Sequence, residues 1–491
     1  MKLLSKRGDE IQILALSGDR IEKGDYLVID DGTSPKIIVQ VFDETYLDST
    51  GIDEEILRDE LFTADKMKII DPDRLQTISY MIRDARILRS KIRGTIVNGK
   101  FNPEIGWLPS RAQSSIRRIS QKELNGLFEN AASHPMSLGK NAGGEEVVID
   151  ATDIDGSLTI ITGRKESGKS HFAKLLLSEL VKQGAYVFVL DLNNEYSGLA
   201  SDASGNPSDI SGRLKILEPG SNMLFTLKYL GKRVLSEILA HALDTPSITV
   251  REYMKIWDQM NEEGDISIRN LYNKVNTAKV NDMVRDALVS RYYSMLSTRV
   301  FANSDAMGID FKSLISKHPN GGGFLFSMAK MSPMARRVLV QILLSKLMDL
   351  LENEDIPPVF IFAEEAHLYF EHTYWEDAIT RMRHFGIFLT FITNQPDSLN
   401  VTVYRQADNV FLFNFINEKD LEMIAQSSRI DGETVRELVR SLPSRKCLAI
   451  GKAVKDLPVV VKVRELPYDM RGRTKKFFAA KSISSTTAKA A

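Results

Sequence analysis

Residues 163–170 read GRKESGKS, a glycine-bracketed loop in which each fixed position has a mechanical role. It fits G-x-x-x-x-G-K-[ST], the phosphate-binding P-loop. Gly163 and Gly168 let the backbone turn tightly, so that successive N–H groups converge on a β-phosphate. Lys169 reaches toward the β- and γ-phosphates, and the Ser170 hydroxyl is a ligand for Mg²⁺. With Arg164, Lys165, Glu166, Ser167 and the adjoining His171, these residues form the expected nucleotide-binding set, with ATP and Mg²⁺ as cofactors. The flanking sequence supplies the required setting. LTIIT (158–162) reads as a buried strand entering the loop, and FAKLLLSELVKQG (172–184) as a helix closed by glycine.

Hydrolysis needs more than binding. PPVFIFAEEAH (357–367) is an apolar strand ending in paired acids, which sets carboxylates at the C-terminal edge of a sheet where open α/β folds bind ligands. Glu364 is expected to hold the Mg²⁺ shell through water, and Glu365 to polarise the attacking water. A strand ending in two acids is often only a solvated end; the preceding P-loop favours catalysis. The helix TYWEDAITRMRHFG (373–386) leads into the strand GIFLTFITNQ, which ends near Gln395. That amide either senses the γ-phosphate or is simply satisfied at a strand end. Arg383 is a candidate arginine finger for a neighbouring subunit's ATP, against an ordinary arginine at a helix C-terminus. In DLNNEYSGL (191–199), Asp191 and Glu195 can support the metal-bound water, while capping of the next turn by Asp191 or Asn193 is the rival role.

Around these motifs the composition is that of an ordinary globular chain. It has 491 residues, 43% hydrophobic and 26% charged, with a formal net charge of −1. No global basic field advertises nucleic acid, so any such contact must be local. Cys447 is alone, which excludes an internal disulfide, and it reads as a small core residue of the strand KCLAIG. No apolar run reaches the roughly 18 residues of a membrane span, and the first residues lack the apolar core of a signal peptide. A cytoplasmic protein without membrane contact is expected.

The chain divides by pattern. Residues 1–130 hold short β-like runs (QILALS, YLVIDD, KIIVQVFD, MKIID) suited to a small antiparallel barrel, and 131–145 are turn-rich and read as a linker. From 146 strands and helices alternate, predicting an α/β fold with a mostly parallel sheet. Its first part spans 146–228 and its second 319–470, interrupted by an all-helical insertion at 229–318. The tail 471–491 carries six basic residues and no acidic one, as either a solvated tail or a contacting arm.

These segments resemble the HerA family, hexameric DNA-translocating ATPases of the HerA/FtsK branch. GRKESGKS matches its Walker A loop and FIFAEEAH its Walker B Glu-Glu-Ala-His. LDLNNEYS resembles its Asp-x-x-x-Glu-Tyr strand end, giving Asp191, Glu195 and Tyr196. RHFGIFLTFITNQ resembles its finger and sensor strand, giving Arg383 and Gln395, and CLAIGKAVKDLPVVVKV its terminal pair of strands. Departures are Pro396 directly after Gln395, Ser157 where relatives can carry arginine, and the bulky Arg-Lys-Glu inside the P-loop. The resemblance implies a RecA-like core and a homohexameric ring threading double-stranded DNA, with ATP between subunits. Lys330, Arg336, Arg337 and Arg405 are then pore candidates, or else ordinary surface charges. It also implies a NurA-type nuclease docked on the barrel face, acting in DNA end resection and recombination repair. Two alternatives stay open: an antiphage ATPase activating a nuclease or NAD-hydrolase effector, and a nucleotide-gated ring scaffold not coupled to DNA movement.

Overall fold

The computed structural model describes residues 1–16, 18–32, 35–47, 84–104, 107–128, 132–365, 368–369, 374–399, 401–415, 417–427 and 430–469. The expected strand MKIID and the basic tail lie outside them. Strands β1 (Lys2–Arg7), β2 (Glu10–Ala15), β3 (Tyr26–Asp30), β4 (Lys36–Tyr46), β5 (Arg86–Val97), β6 (Lys100–Asn102) and β7 (Ser115–Arg118) form one antiparallel sheet. Its order is β1-β2-β5-β4-β3-β7, with β6 paired to β5. Alternation builds it: Ile11 and Ile13, Leu27 and Ile29, and Ile37, Val39 and Val41 bury one face together with Leu88. The edge strands β1 and β7 approach each other, giving a barrel-like curl. The other face of β3 and β4 is buried too, Tyr26, Val28 and Ile38 packing on Ile119, Leu124 and Leu457. Leu124 belongs to helix α1 (Gln121–Gly126), whose first turn is closed by a Ser120–Glu123 capping box.

The chain continues through β8 (Pro135–Lys140), β9 (Glu146–Asp150), β10 (Thr159–Thr162), α2 (Lys169–Lys182), β11 (Tyr186–Asp191) and β12 (Leu214–Leu217). Helices α3 (Leu227–Glu237), α4 (Ser247–Glu262), α5 (Ile268–Thr277), α6 (Asp282–Ser297) and α7 (Phe311–Ser316) follow. Then come β13 (Gly322–Ser327), α8 (Pro333–Glu352), β14 (Val359–Glu364), α9 (Tyr374–Phe385) and β15 (Ile387–Thr393). The last elements are α10 (Val401–Gln406), β16 (Asn409–Leu412), α11 (Glu418–Ser427), α12 (Gly432–Arg440), β17 (Lys446–Gly451) and β18 (Val459–Val463). Contacts divide the molecule into two units. One comprises Met1–Ile154, Ile161–Lys169 and Asn394–Arg464; the other comprises Asp155–Ile160, Ser170–Thr393 and Glu465–Ala491, described to Asp469.

In the second unit β12-β13-β11-β14-β15 pair in parallel. Every residue of β14 and β15 is buried, as continuous apolar runs require when helices cover both faces. Helix α8 is buried nearly all round, from Val338 and Leu339 to Leu347. Register pairs Asp191 with Ser327, Leu190 with Ala363 and Glu364 with Ile392, so the acidic strand ends share one edge of the sheet.

The first unit corrects two expectations. Its strands β16-β17-β18-β8-β9 are antiparallel, so the sheet is not mostly parallel throughout. Residues 135–140, expected within a linker, form β8, pairing with β18 and β9. Met136 and Leu138 are fully buried there, but Ser, Gly and Asn around them hide the alternation. Gly139 is required: a Cβ would meet Lys462 O at 2.1 Å. The N-terminal sheet belongs to this unit. Tyr26 Oη and Gln40 Nε2 both donate to Pro458 O, at 2.8 and 2.7 Å. Among the described residues no helix is long and apolar enough to cross a membrane.

Candidate nucleotide site

Residues 163–169 are clamped within the first unit by its C-terminal strands. Arg164 N–H donates to Asn414 O at 3.0 Å, Arg445 N–H to Ser167 O at 2.8 Å, and Ser444 Oγ to Glu166 O at 3.3 Å. A Cβ on Gly163 would lie 2.5 Å from that of Phe413, so only glycine fits. Gly168 has φ 117°, and Glu166 takes a left-handed φ of 63°, a conformation costly for a branched-free but bulky residue. Arg164, Lys165 and Glu166 are exposed, whereas Ser167 and Lys169 are buried. The Lys169 ammonium lies across the loop, donating to Arg164 O at 2.9 Å. His171 is buried in the first turn of α2.

Ser170 begins the second unit's share of α2. Its Oγ donates to Glu364 Oε1 at 3.0 Å. Glu364 ends β14 fully enclosed, and its Oε2 has no hydrogen-bond partner among the described residues. Burial, reinforced by the negative charges of Glu195 and Asp191, pushes its carboxyl up to about 8. Tyr369 Oη donates to Glu364 O at 2.5 Å and fixes the strand end. Glu365 follows in left-handed backbone, φ 48°; strain of this kind in a non-glycine residue costs about 1–3 kcal/mol and concentrates at functional sites.

Asp191 takes the capping role. Its carboxylate accepts the N–H groups of Glu195 at 2.9 Å and Tyr196 at 3.1 Å, building the turn that carries Glu195. Burial raises its pKa against those two N–H groups. The Tyr196 ring is wholly buried; its hydroxyl pulls on Glu364 without reaching hydrogen-bond geometry. The sequence reading missed Lys174, one turn after Ser170 on α2. Its Nζ lies 3.8 Å from Glu195 Oε2 and 5.8 Å from the Tyr196 ring centre. The only signal was a lysine inside the apolar stretch FAKLLL.

The remaining candidates are placed as follows. Arg383 is half-buried in the last turn of α9, and Gln395 is exposed two residues beyond β15, at the N-cap position of the turn 396–398 without a side-chain capping bond. Lys330 is exposed between β13 and α8. Arg336 Nε donates to Met328 O at 3.4 Å, and Arg337 pairs with Asp244 at 3.1 Å. Arg405 is exposed in α10 of the other unit.

The hydroxyl and carboxylate oxygens of Ser170 and Glu364, with one carboxylate oxygen unpartnered, fit a Mg²⁺ ion that takes most of its ligands from phosphate and water. Among the described residues no group of three or more His, Cys, Asp or Glu is arranged to cage a metal. Within the second unit, Ser170 and Glu364 can therefore share a cation at the end of β14.

Residues 147–347 match the family described as "Helicase HerA, central domain". The DNA double-strand break repair helicase HerA of Saccharolobus solfataricus is 24% identical over 388 residues, 72% of this chain and 73% of that protein. The protein of that name from Sulfolobus acidocaldarius is 24% identical over 486 residues, 93% of this chain and 92% of its own. Two solved structures share the fold. VirB4 of Thermoanaerobacter pseudethanolicus superposes with a TM-score of 0.53 at 15% identity, over 69% of this chain and 99% of that one. The bacterial conjugative coupling protein TrwBdeltaN70 gives 0.52 at 14% identity, over 73% and 94%. Joined to the P-loop and the Ser170–Glu364 pair, these matches support a P-loop ATPase similar to the HerA helicases.

Proposed function

We propose that this chain is the motor of an ATP-driven duplex-DNA translocase, assembled as a six-membered ring. The observation that carries the reading is the direct hydrogen bond from Ser170 to buried Glu364 at the acidic end of β14. DNA as the substrate comes from the two relatives named as double-strand break repair helicases. In this reading Lys169 and the loop N–H groups bind the β- and γ-phosphates, Ser170 and Glu364 hold Mg²⁺, and Glu365 orients the attacking water. Mg²⁺, when bound, neutralises phosphate charge. Arg383 reaches the nucleotide of the neighbouring protomer, and Gln395 reports on the γ-phosphate. Lys330, Arg336, Arg337 and Arg405 are pore candidates, where six copies of each charge compensate for a near-neutral chain. Helices α3–α7 are an insertion in the core, and the barrel-like N-terminal sheet is the docking face for a NurA-type nuclease in end resection.

The test is ATP hydrolysis with and without linear duplex DNA, alongside Arg383→Ala and measurement of particle mass. Hexamers whose turnover rises with DNA, and a variant that assembles but loses that rise, support the reading. Hexamers whose turnover ignores DNA would replace it with a nucleotide-gated scaffold.

A further inference from the structure

Lys174 is an anomaly of the P-loop helix. It sits among Phe172, Leu175, Leu176 and Leu177, all fully buried, and its own side chain is only 2% exposed. An ammonium is tolerated there only when compensated. Compensation comes from the acids behind the nucleotide site. Glu195 is 3.8 Å away, and Glu364 and Asp191 add their fields, with Asp469 a weaker contributor. The Tyr196 ring supplies a further face, 5.8 Å from Nζ. The partner is not free to move. Asp191 pins the backbone of Glu195 and Tyr196, so the ion pair fixes the side chain of a residue whose main chain is already held.

We propose that Lys174 is a positioning residue of the ATPase site, an internal counter-ion that holds Glu195 beside Glu364 and sets the charge met by a cation at Ser170 and Glu364. The inference rests on the Mg²⁺·ATP reading of that site. Lys174 thus places one positive charge against the acids behind Ser170 and Glu364, where another apolar residue in α2 would leave Glu195 without its counter-ion.

Charge counting gives a test that a merely structural lysine would fail. The Mg²⁺ midpoint for binding a fluorescent ATP analogue is measured on the full chain for wild type, Lys174→Met, Glu195→Gln and the double variant, with kcat and KM for each. Lys174→Met makes the pocket one charge more acidic; it is expected to lower the midpoint roughly tenfold while slowing turnover and leaving KM for ATP little changed. Glu195→Gln raises the midpoint. The double variant restores the net charge and brings the midpoint back to within about threefold of wild type. An unchanged or raised midpoint in Lys174→Met overturns the inference. If that variant does not fold, the double variant decides, because neither buried charge is then left alone. Its folding with a near-wild-type midpoint supports the proposal; failure to fold, or a displaced midpoint, overturns it. Wild-type binding that ignores Mg²⁺ overturns the metal reading itself, and this outcome is separate from the variants' behaviour.

Discussion

Ser170 and Glu364, 194 residues apart in sequence, are joined by a 3.0 Å hydrogen bond from the serine hydroxyl to Oε1. Among the described residues it is the one hydrogen bond to this buried carboxyl group, which also lies in the fields of Glu195 and Asp191. Removing it leaves a buried acceptor unsatisfied, which costs about 1–3 kcal/mol. Ser170→Ala is therefore expected to lower unfolding free energy by that amount in denaturant titration and to cut ATP turnover by roughly 10²-fold or more. Ser170→Thr keeps the hydroxyl and should retain most of both. Equal behaviour of the two variants would show that the hydroxyl has no such role.

Glu365 separates binding from turnover. Its position just past β14, in left-handed backbone, sets it apart from the enclosed Glu364. Glu365→Gln preserves shape and removes the base, so ATP should still bind while hydrolysis falls by roughly 10²–10⁴-fold. Single-turnover hydrolysis beside equilibrium binding checks this; a normal rate would mean that the water-activating group lies elsewhere.

A second ion pair sets acid stability. Arg93 of β5 meets Asp431 at 2.9 Å, and Asp431 also caps α12 by accepting the Thr434 N–H at 2.8 Å. Burial raises the Asp431 pKa, but the Thr434 N–H and Arg93 outweigh it, and the net shift is downward from 3.8. A carboxylate with a depressed folded pKa gives stability that is complete above its unfolded pKa and is lost as pH falls through the folded one. Asp431→Asn should therefore destabilise the protein at pH 7, by about 2–4 kcal/mol. It should make little difference at pH values well below 3.8. Melting curves across that range read the difference; a constant gap at all pH values would exclude the ionic contribution.

What the sequence disclosed follows from how each element is buried. Strands such as FIFAE and IFLTFIT are enclosed on both faces, so they stand out as unbroken apolar runs. β8 did not stand out, because its pairing with β18 demands Gly139 and its outward positions are Ser and Lys. The antiparallel sense of β16–β18 is a matter of topology, which periodicity does not encode. Within the site, GRKESGKS and the acid pair are local patterns. The Lys174–Glu195 contact joins an expected site residue to a lysine that belongs to no motif, and Asp191 was legible only as a choice between metal support and capping. The packing of β3 and β4 against Leu457 was hidden for the same reason: alternation marks one buried face and is silent about a second.

Cys447 offers a probe of the strand that braces the P-loop. It is fully buried in β17 opposite Val461, and burial pushes its thiol well above the ordinary range. Because the thiolate is the reactive species, a thiol reagent at pH 8 should label the native protein only through opening of this sheet. Arg445, just before β17, donates its N–H to Ser167 O at 2.8 Å. A ligand that holds the loop therefore also holds the start of the strand. Saturating Mg²⁺·ATP analogue should slow labelling by roughly tenfold or more, in proportion to the stabilisation that binding confers. Labelling within seconds in native buffer, or a rate untouched by nucleotide, would show that β17 opens independently of the phosphate loop.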